Sequence, residues 1–118
     1  MIANVLIAAV ALLHVWFMVL EMFLWRKPIG LRTFGRSQAE ADSSAVLAAN
    51  QGLYNGFLAA GLVWSLVLGD APPARAIKVF FLSCVAIAGL YGGFTASRKI
   101  LVVQALPAAI ALVCLIAS

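Results

Sequence analysis

The stretch from Ile2 to Trp25, IANVLIAAVALLHVWFMVLEMFLW, decides the class of this protein. It is apolar almost throughout, and as an α-helix it would be about 36 Å long, against roughly 30 Å for the hydrocarbon core of a bilayer. The segment lacks the charged beginning of a signal peptide, exceeds the length of its apolar part and carries polar residues inside it. We therefore expect it to remain in the protein and to cross a membrane.

The rest of the chain is similarly apolar. The 118 residues are 65% hydrophobic and 10% charged, with a mean hydropathy of +1.10, which is too apolar for an ordinary soluble domain. The predicted spans are 2–25, 46–69, 77–96 and 100–117. The short connections after the second and third spans predict antiparallel neighbours. We predict one all-α domain over 1–118, an integral membrane up-down four-helix bundle, with no room for a separate soluble catalytic domain.

Lysine and arginine are distributed unevenly, and this asymmetry predicts an orientation. One side of the predicted bundle carries only Arg75 and Lys78; the other side carries Arg26, Lys27, Arg32, Arg36, Arg98 and Lys99. By the positive-inside rule, loops 26–45 and 97–99 are cytoplasmic and both termini lie outside. We expect a multi-pass protein of the bacterial inner membrane. The net charge of +4 then reflects topology and contact with membrane lipid, so no nucleic-acid partner is predicted.

Two ionisable residues lie inside the first predicted span, where charge is costly and usually functional. His14 and Glu21 are seven residues apart, which places them on one stripe of a helix. We take both as candidate catalytic or proton-transferring residues. The alternative is a purely structural role, in which Glu21 forms an ion pair with Arg26, Lys27 or Arg98 near the membrane–water interface.

Neutral polar residues lie at the same depth as Glu21. The second span begins with a dense polar cluster, roughly 6 to 14 Å below the cytoplasmic surface. The predicted ligand-binding residues are Arg26, Asn50, Gln51, Tyr54, Asn55, Tyr91 and Gln104. This pattern favours a polar pocket that opens toward the cytoplasm, and the alternative is an interhelical network that only holds the bundle together.

Glycine, proline and the polar first loop carry predictions about packing. Glycines spaced by four at 52 and 56, and again at 89 and 93, allow helices to approach closely. Pro107 is expected to bend the fourth span beside Gln104. In loop 26–45, Pro28, Gly30 and Gly35 are expected to interrupt any helix, and the candidate N-caps of the second span are Asp42, Ser43 and Ser44.

Several kinds of chemistry have no signature in this sequence. It contains no Walker loop, no G-x-G-x-x-G, no G-x-S-x-G and no H-E-x-x-H. One histidine and four carboxylates do not build the usual protein metal cage, so no metal site is predicted. Cys84 and Cys114 lie in apolar spans without a C-x-x-C motif and are interpreted as packing residues.

The run from His14 to Trp25, HVWFMVLEMFLW, with Pro28, Phe34-Gly35 and the later Asn50 to Gly56, NQGLYNG, resembles a family of small bacterial membrane proteins. That family is classed only as a domain of unknown function. The resemblance covers nearly the whole chain and implies no activity.

A more distant resemblance is to the MAPEG proteins, the membrane-associated eicosanoid and glutathione metabolism group. It is carried by the basic first loop, by Asn50 near the start of the second span, by the turn from Gly69 to Pro73, and by Gln104 followed by Leu106-Pro107. The resemblance implies a homotrimer that holds a ligand between subunits, in the cytoplasmic half of the membrane. Glutathione is the cofactor that it implies.

The departures from the MAPEG pattern argue against glutathione. The second-span motif of those proteins has the form R-x-x-R-N-x-x-E. With Asn50 aligned, Val46 and Ala49 replace the arginines and Leu53 replaces the glutamate. Without bidentate arginines, a tripeptide with two carboxylates is hard to hold.

The function predicted from these observations is the binding, with chemical transformation left open, of a small lipophilic or amphipathic molecule in the cytoplasm-facing pocket. Two other classes stay open. One is a small proton-coupled exporter, and the other is a structural accessory subunit. The sequence names neither the ligand nor a cofactor.

Overall fold

The computed structural model describes residues 1–118, and all of its regular structure is helical. The helices are α1 (Ile2–Met22), α2 (Pro28–Phe34), α3 (Gln38–Val67), α4 (Pro72–Thr95) and α5 (Leu106–Ala117), with a π-helical turn at Leu101–Ala105. The all-α class is confirmed. The predicted number of four helices is wrong, because a fifth helix lies inside the predicted loop 26–45.

The short helix α2 forms where three helix breakers were expected to prevent one. Pro28 occupies its first position, where the missing N–H is not needed and the fixed φ of proline suits a helix. Gly35 ends the helix in the left-handed conformation, with φ of 63°, which glycine adopts without a steric penalty. The two residues therefore mark the boundaries of a helix and do not interrupt one.

Helix α3 begins about two turns before the predicted second span, because a capping box fixes its start. The Ser37 hydroxyl accepts a hydrogen bond of 3.2 Å from the backbone N–H of Glu40, and the Glu40 carboxylate accepts one of 2.9 Å from the backbone N–H of Ser37. These bonds satisfy two donors that a helix start leaves open. The prediction that Asp42, Ser43 or Ser44 caps this helix is therefore wrong.

The chain forms two compact units, one made of residues 1–12 and 58–118 and the other of residues 13–57. The buried core of the first unit consists of Ala3, Ile7, Val10, Ala11, Leu62, Leu82, Val85, Ala108, Ala111 and Leu115. In the same unit a Cβ at Gly89 would lie 2.5 Å from the backbone nitrogen of Ala105, and Gly93 abuts the side chain of Leu101. Helix α4 therefore packs closely and antiparallel against the segment that follows it, as its glycine spacing predicted.

The fourth predicted span is not one regular α-helix. The backbone N–H of Leu106 donates to the carbonyl of Leu101, five residues earlier, which closes a π-helical turn. Pro107 follows at once and has no N–H to donate. The irregularity expected at Pro107 is thus a widened turn, and Gln104 lies within it, partly buried.

Two helices, α1 and α4, are long and apolar enough to cross a membrane. The apolar segment Leu101–Ala117 is shorter. By length and composition, α1 and α4 suggest a membrane protein.

Candidate functional site

In the unit formed by residues 13–57, α1 and α3 bring together two of the predicted site residues. The Asn55 amide Nδ2 donates a hydrogen bond to Oε1 of Glu21. Glu21 is 4% exposed and Asn55 is 9% exposed. A buried carboxylate is therefore held by a neutral amide from another helix.

Glycine on α3 makes this approach possible. A Cβ at Gly52 would lie 2.7 Å from Cγ of Met22 and 3.0 Å from Cβ of Glu21, and a Cβ at Gly56 would lie 2.7 Å from Sδ of Met18. Gly52 and Asn55 are three residues apart and share a helix face. The close helix approach predicted from the 52/56 spacing is confirmed, and it sets Asn55 against Glu21.

Glu21 of this pair also lines an open groove of about 480 Å³. Its lining residues are Glu21, Met22, Phe23, Trp25, Arg26, Lys27, Gln38, Asp42, Ala45, Val46 and Ala49. Two carboxylates and two cations thus share the groove with apolar and aromatic side chains. The volume is within the range of pockets that hold small molecules, and the mixed lining suits an amphipathic one.

Hydrogen bonds and ring contacts fix the rim of the groove. The Trp25 Nε1 donates to the Ser44 hydroxyl at 3.1 Å, and the Trp25 ring lies 4.8 Å from that of Phe34, centroid to centroid. The Arg36 guanidinium carbon is 5.4 Å from the Trp25 ring centroid, a cation–π distance. The loop between α1 and α3 is thereby held against Trp25.

Gln38 connects the start of α3 to the segment that follows α1. Its amide Nε2 donates to Oδ1 of Asp42 at 3.0 Å and to the backbone carbonyl of Arg26 at 3.4 Å. The side chains of Arg26 and Lys27 are exposed. Because Glu21 is buried while these cations are exposed, the groove offers a carboxylate at depth and positive charge toward water.

The other predicted site residues have varied surroundings. His14 is fully buried, two turns before Glu21 on α1, and its ring meets that of Phe17 edge to face at 5.4 Å. Asn50, Gln51 and Tyr54 are exposed on α3. In the other unit, Tyr91 is 72% exposed and Gln104 lies in the π-helical turn. The functional roles of these residues stay predictions.

Sequence reasoning missed part of the groove because it placed the start of α3 too late. Gln38 and Asp42 lie within the predicted loop 26–45, whereas in the structure they belong to the first turns of α3. Along α3 the lining residues are Gln38, Asp42, the adjacent Ala45 and Val46, and Ala49. Steps of three or four positions connect them, which is the period of one helix face. The Ser37-x-x-Glu40 capping signature was the signal that could have revealed this stripe.

The chemistry available in this groove is binding and proton exchange. Glu21 can accept hydrogen bonds, bind a cation or bind a proton, while the hydrogen bond from Asn55 holds the Glu21 carboxylate in position. Arg26 and Lys27 can attract an anionic group. The lining contains no hydroxyl or thiol nucleophile.

The fold and the groove define a small all-α protein with apolar helices and one buried carboxylate beside an amphipathic surface. Comparison with known families assigns residues 8–116 to the family described as "Protein of unknown function (DUF1304)". The chain belongs to this family, which confirms the resemblance to a domain of unknown function.

One relative extends this finding. The chain is 31% identical over 106 residues to "Uncharacterized protein YpaA" of Lactococcus lactis subsp. lactis (strain IL1403), and the alignment covers 88% of this chain and 87% of the relative. No solved structure matches the chain significantly. These findings do not bear on the MAPEG resemblance, which stays a prediction.

Proposed function

We propose that this protein is an integral membrane protein that binds a small amphipathic molecule in the groove beside Glu21. The observation that carries the proposal is the buried Glu21 carboxylate, which accepts a hydrogen bond from Asn55 and lines the groove. Carboxylates inside apolar helices are costly and are usually kept for function.

The exposure of the apolar helices supports a place in the membrane. A core helix of a soluble protein buries most of its side chains, whereas only 28% of the apolar window of α1, and the same share of α4, is buried. Leu12 is 70% exposed and Phe94 is 80% exposed. Apolar side chains of this size in contact with water would form a surface that is prone to aggregation, whereas contact with lipid carries no such cost. The proposed orientation puts loops 26–45 and 97–99 in the cytoplasm.

The bonding of Glu21 favours a binding site over a purely structural contact. Helices that need only a polar contact can use two amides, and a carboxylate adds a desolvation cost. The hydrogen bond to Glu21 comes from the neutral Asn55 amide, and not from Arg26 or Lys27. Because Asn55 is neutral, it does not compensate the negative charge of Glu21, and the carboxylate can still bind a cation supplied by a ligand.

The groove indicates the chemical outline of the proposed ligand. Its cationic or hydrogen-bond-donating group would meet Glu21, and its apolar part would lie against Met22, Val46 and Ala49. The MAPEG resemblance adds a homotrimer to the proposal, with glutathione disfavoured by the missing arginines. Dodecylamine is a suitable probe because it combines an ammonium with an alkyl chain, and dodecanoate is its anionic counterpart.

Tryptophan fluorescence tests this proposal in lipid nanodiscs. Trp25 lines the groove, so a variant with Trp16→Phe and Trp64→Phe reports occupancy through Trp25 alone. Dodecylamine should change its emission saturably, and Glu21→Gln should weaken the apparent affinity about tenfold or more, because a hydrogen bond to a charged group contributes roughly 1.5 to 3 kcal/mol. Glu40→Gln, which makes the same change at an exposed carboxylate of α3 outside the groove lining, is the matched control and should bind as the parent does.

Two results would overturn the binding proposal. One is a dodecylamine response that does not saturate in the parent. The other is a saturable response of the same affinity in the parent and in Glu21→Gln. Preference for dodecanoate over dodecylamine would place the charge recognition at Arg26 and Lys27 and would reject Glu21 as the anchor.

A small proton-coupled exporter is a second candidate, and the neutral partner of Glu21 favours it. A carboxylate held by an amide can carry either a proton or a substrate cation, but not both. Proteoliposomes with an internal pH dye would show substrate-dependent proton flux that Glu21→Gln abolishes. Flux that survives this substitution argues against export. A structural accessory subunit predicts that Glu21→Gln affects assembly alone.

A further inference from the structure

A buried ammonium group lies in the unit formed by residues 1–12 and 58–118, apart from the residues that line the groove. Lys78 of α4 is 7% exposed, and its Nζ donates a hydrogen bond of 3.0 Å to the side-chain oxygen of Asn4 on α1. An ammonium group has three donors. Its one hydrogen-bonding partner in this structure is a neutral amide oxygen, which offsets none of its charge.

No acidic side chain of the unit pairs with Lys78. Its single acidic side chain is Asp70, which is exposed and forms no ion pair with Lys78. Buried charges in proteins are normally paired, because the desolvation of an isolated ion costs several kcal/mol. The compensating anion for Lys78 is therefore expected to come from outside the chain.

The surroundings of Lys78 suit an incoming anion. Asn4 is exposed and the bond between the two side chains is only partly buried, so the ammonium group is near the surface. Arg75, also exposed, lies one turn earlier on the same helix face. Both cations are in the first turns of α4, near the positive end of its helix dipole.

The position of Lys78 along α4 indicates which anion is available. It lies six residues after Pro72, about 9 Å along the helix axis, at the start of the apolar part of α4. In a membrane-crossing helix this is the boundary between head groups and hydrocarbon, where the phosphates of lipids are concentrated. A phosphate oxygen there can accept from Lys78 and from the Asn4 amide N–H groups, with Arg75 on its outer side.

We propose that Lys78, Asn4 and Arg75 form a binding site for the phosphate group of an anionic membrane lipid. This proposal rests on the membrane placement proposed above, but the site does not involve Glu21 or the groove, so it can fail while the proposed ligand site stands. Inorganic phosphate offers the same chemistry, and the experiment separates the two sources.

The test counts bound lipids by native mass spectrometry of the full chain, after delipidation and exposure to vesicles of phosphatidylglycerol or phosphatidylcholine. The parent should retain phosphatidylglycerol in preference. Lys78→Gln should lower that preference about tenfold, since it replaces a charge-assisted hydrogen bond to the phosphate with a weaker neutral one. The glutamine keeps a donor for Asn4, so the helix contact survives. Lys99→Gln removes an exposed lysine of the same unit and should leave the preference unchanged.

Each remaining outcome overturns the proposal or its lipid source. Equal preference in the parent and in Lys78→Gln rejects the site, and an equal loss in Lys99→Gln shows a general charge effect. In detergent without lipid, inorganic phosphate is added and the thermal midpoint is followed. Stabilisation of the parent but not of Lys78→Gln, combined with no phosphatidylglycerol preference, would assign the site to a free anion and reject the lipid.

Discussion

Each of the two compact units contains a buried charged side chain that is hydrogen-bonded to an asparagine, and the two asparagines act in opposite ways. Asn55 donates its amide N–H to the carboxylate of Glu21. Asn4 accepts from the ammonium of Lys78 through its side-chain oxygen. The same residue type therefore holds a negative charge in one unit and a positive charge in the other, because an amide carries both a donor and an acceptor.

The surroundings of the two pairs differ, and this difference indicates their separate roles. Both members of the Glu21 pair are buried, and Glu21 lines a groove. In the Lys78 pair the asparagine is exposed and the bond is partly buried. Loss of an asparagine should therefore cost more at Glu21 than at Lys78, since an orphaned charge is costlier away from solvent.

The largest effect is expected from Asn55→Leu. It leaves the buried Glu21 carboxylate without its donor, and we expect it to lower the free energy of unfolding by about 2 to 3 kcal/mol, the value of a hydrogen bond to a charged group. Unfolding in mixed micelles, followed by circular dichroism, measures this change. Gln51→Leu is the control, because Gln51 is exposed on the same helix and should cost less than about 0.5 kcal/mol. Equal losses in the two variants would contradict the assigned role of Asn55.

A slightly smaller effect is expected from Gly52→Leu, which separates α1 from α3 without removing a polar group. The new side chain would overlap Met22 and Glu21, and its Cβ would lie 3.2 Å from the backbone oxygen of Met18. Overpacking of this kind costs about 2 kcal/mol. Ala60→Leu makes a small-to-large change at an exposed position of α3 and should be nearly neutral. If Gly52→Leu were as stable as the parent, close helix packing would not be what holds the Glu21 pair.

The sequence predicted the apolar helices and the glycine contacts because both depend on local periodicity. It also placed Glu21 and Asn55 at one depth, which follows from counting residues along two helices. It does not predict α2, since proline interrupts a helix in its interior but also suits a first helical position. The bond between Lys78 and Asn4 joins residues 74 apart in the chain. Such a contact depends on which helix faces meet, and periodicity alone does not determine that.

Asn4→Leu should show the smaller cost expected of the exposed pair, about 1 kcal/mol, because the Lys78 ammonium keeps partial access to water or lipid phosphate. Adding Lys78→Met should recover this loss, since the double variant contains neither the charge nor its former partner. The unfolding free energies of the two single variants and the double variant give the coupling between the residues. A double variant that is less stable than either single variant would contradict a direct interaction.

The smallest effect concerns Glu40, a carboxylate outside the apolar segments that contrasts with Glu21 because it is fully exposed. The backbone N–H and the hydroxyl of Ser37, followed by the charge of Arg36, lower the pKa of Glu40 below its usual 4.5. A lowered folded-state pKa stabilises the helix start above pH 4.5, and this contribution is lost as the pH falls through the lowered value. The parent should therefore lose slightly more stability than Glu40→Gln between neutral and acidic pH, as thermal midpoints would show. Glutamine at this position keeps an acceptor for the backbone N–H of Ser37, so the variant loses the charge and not the hydrogen bond. Parallel pH profiles in the two proteins would mean that the charge of Glu40 does not contribute to the stability of the fold.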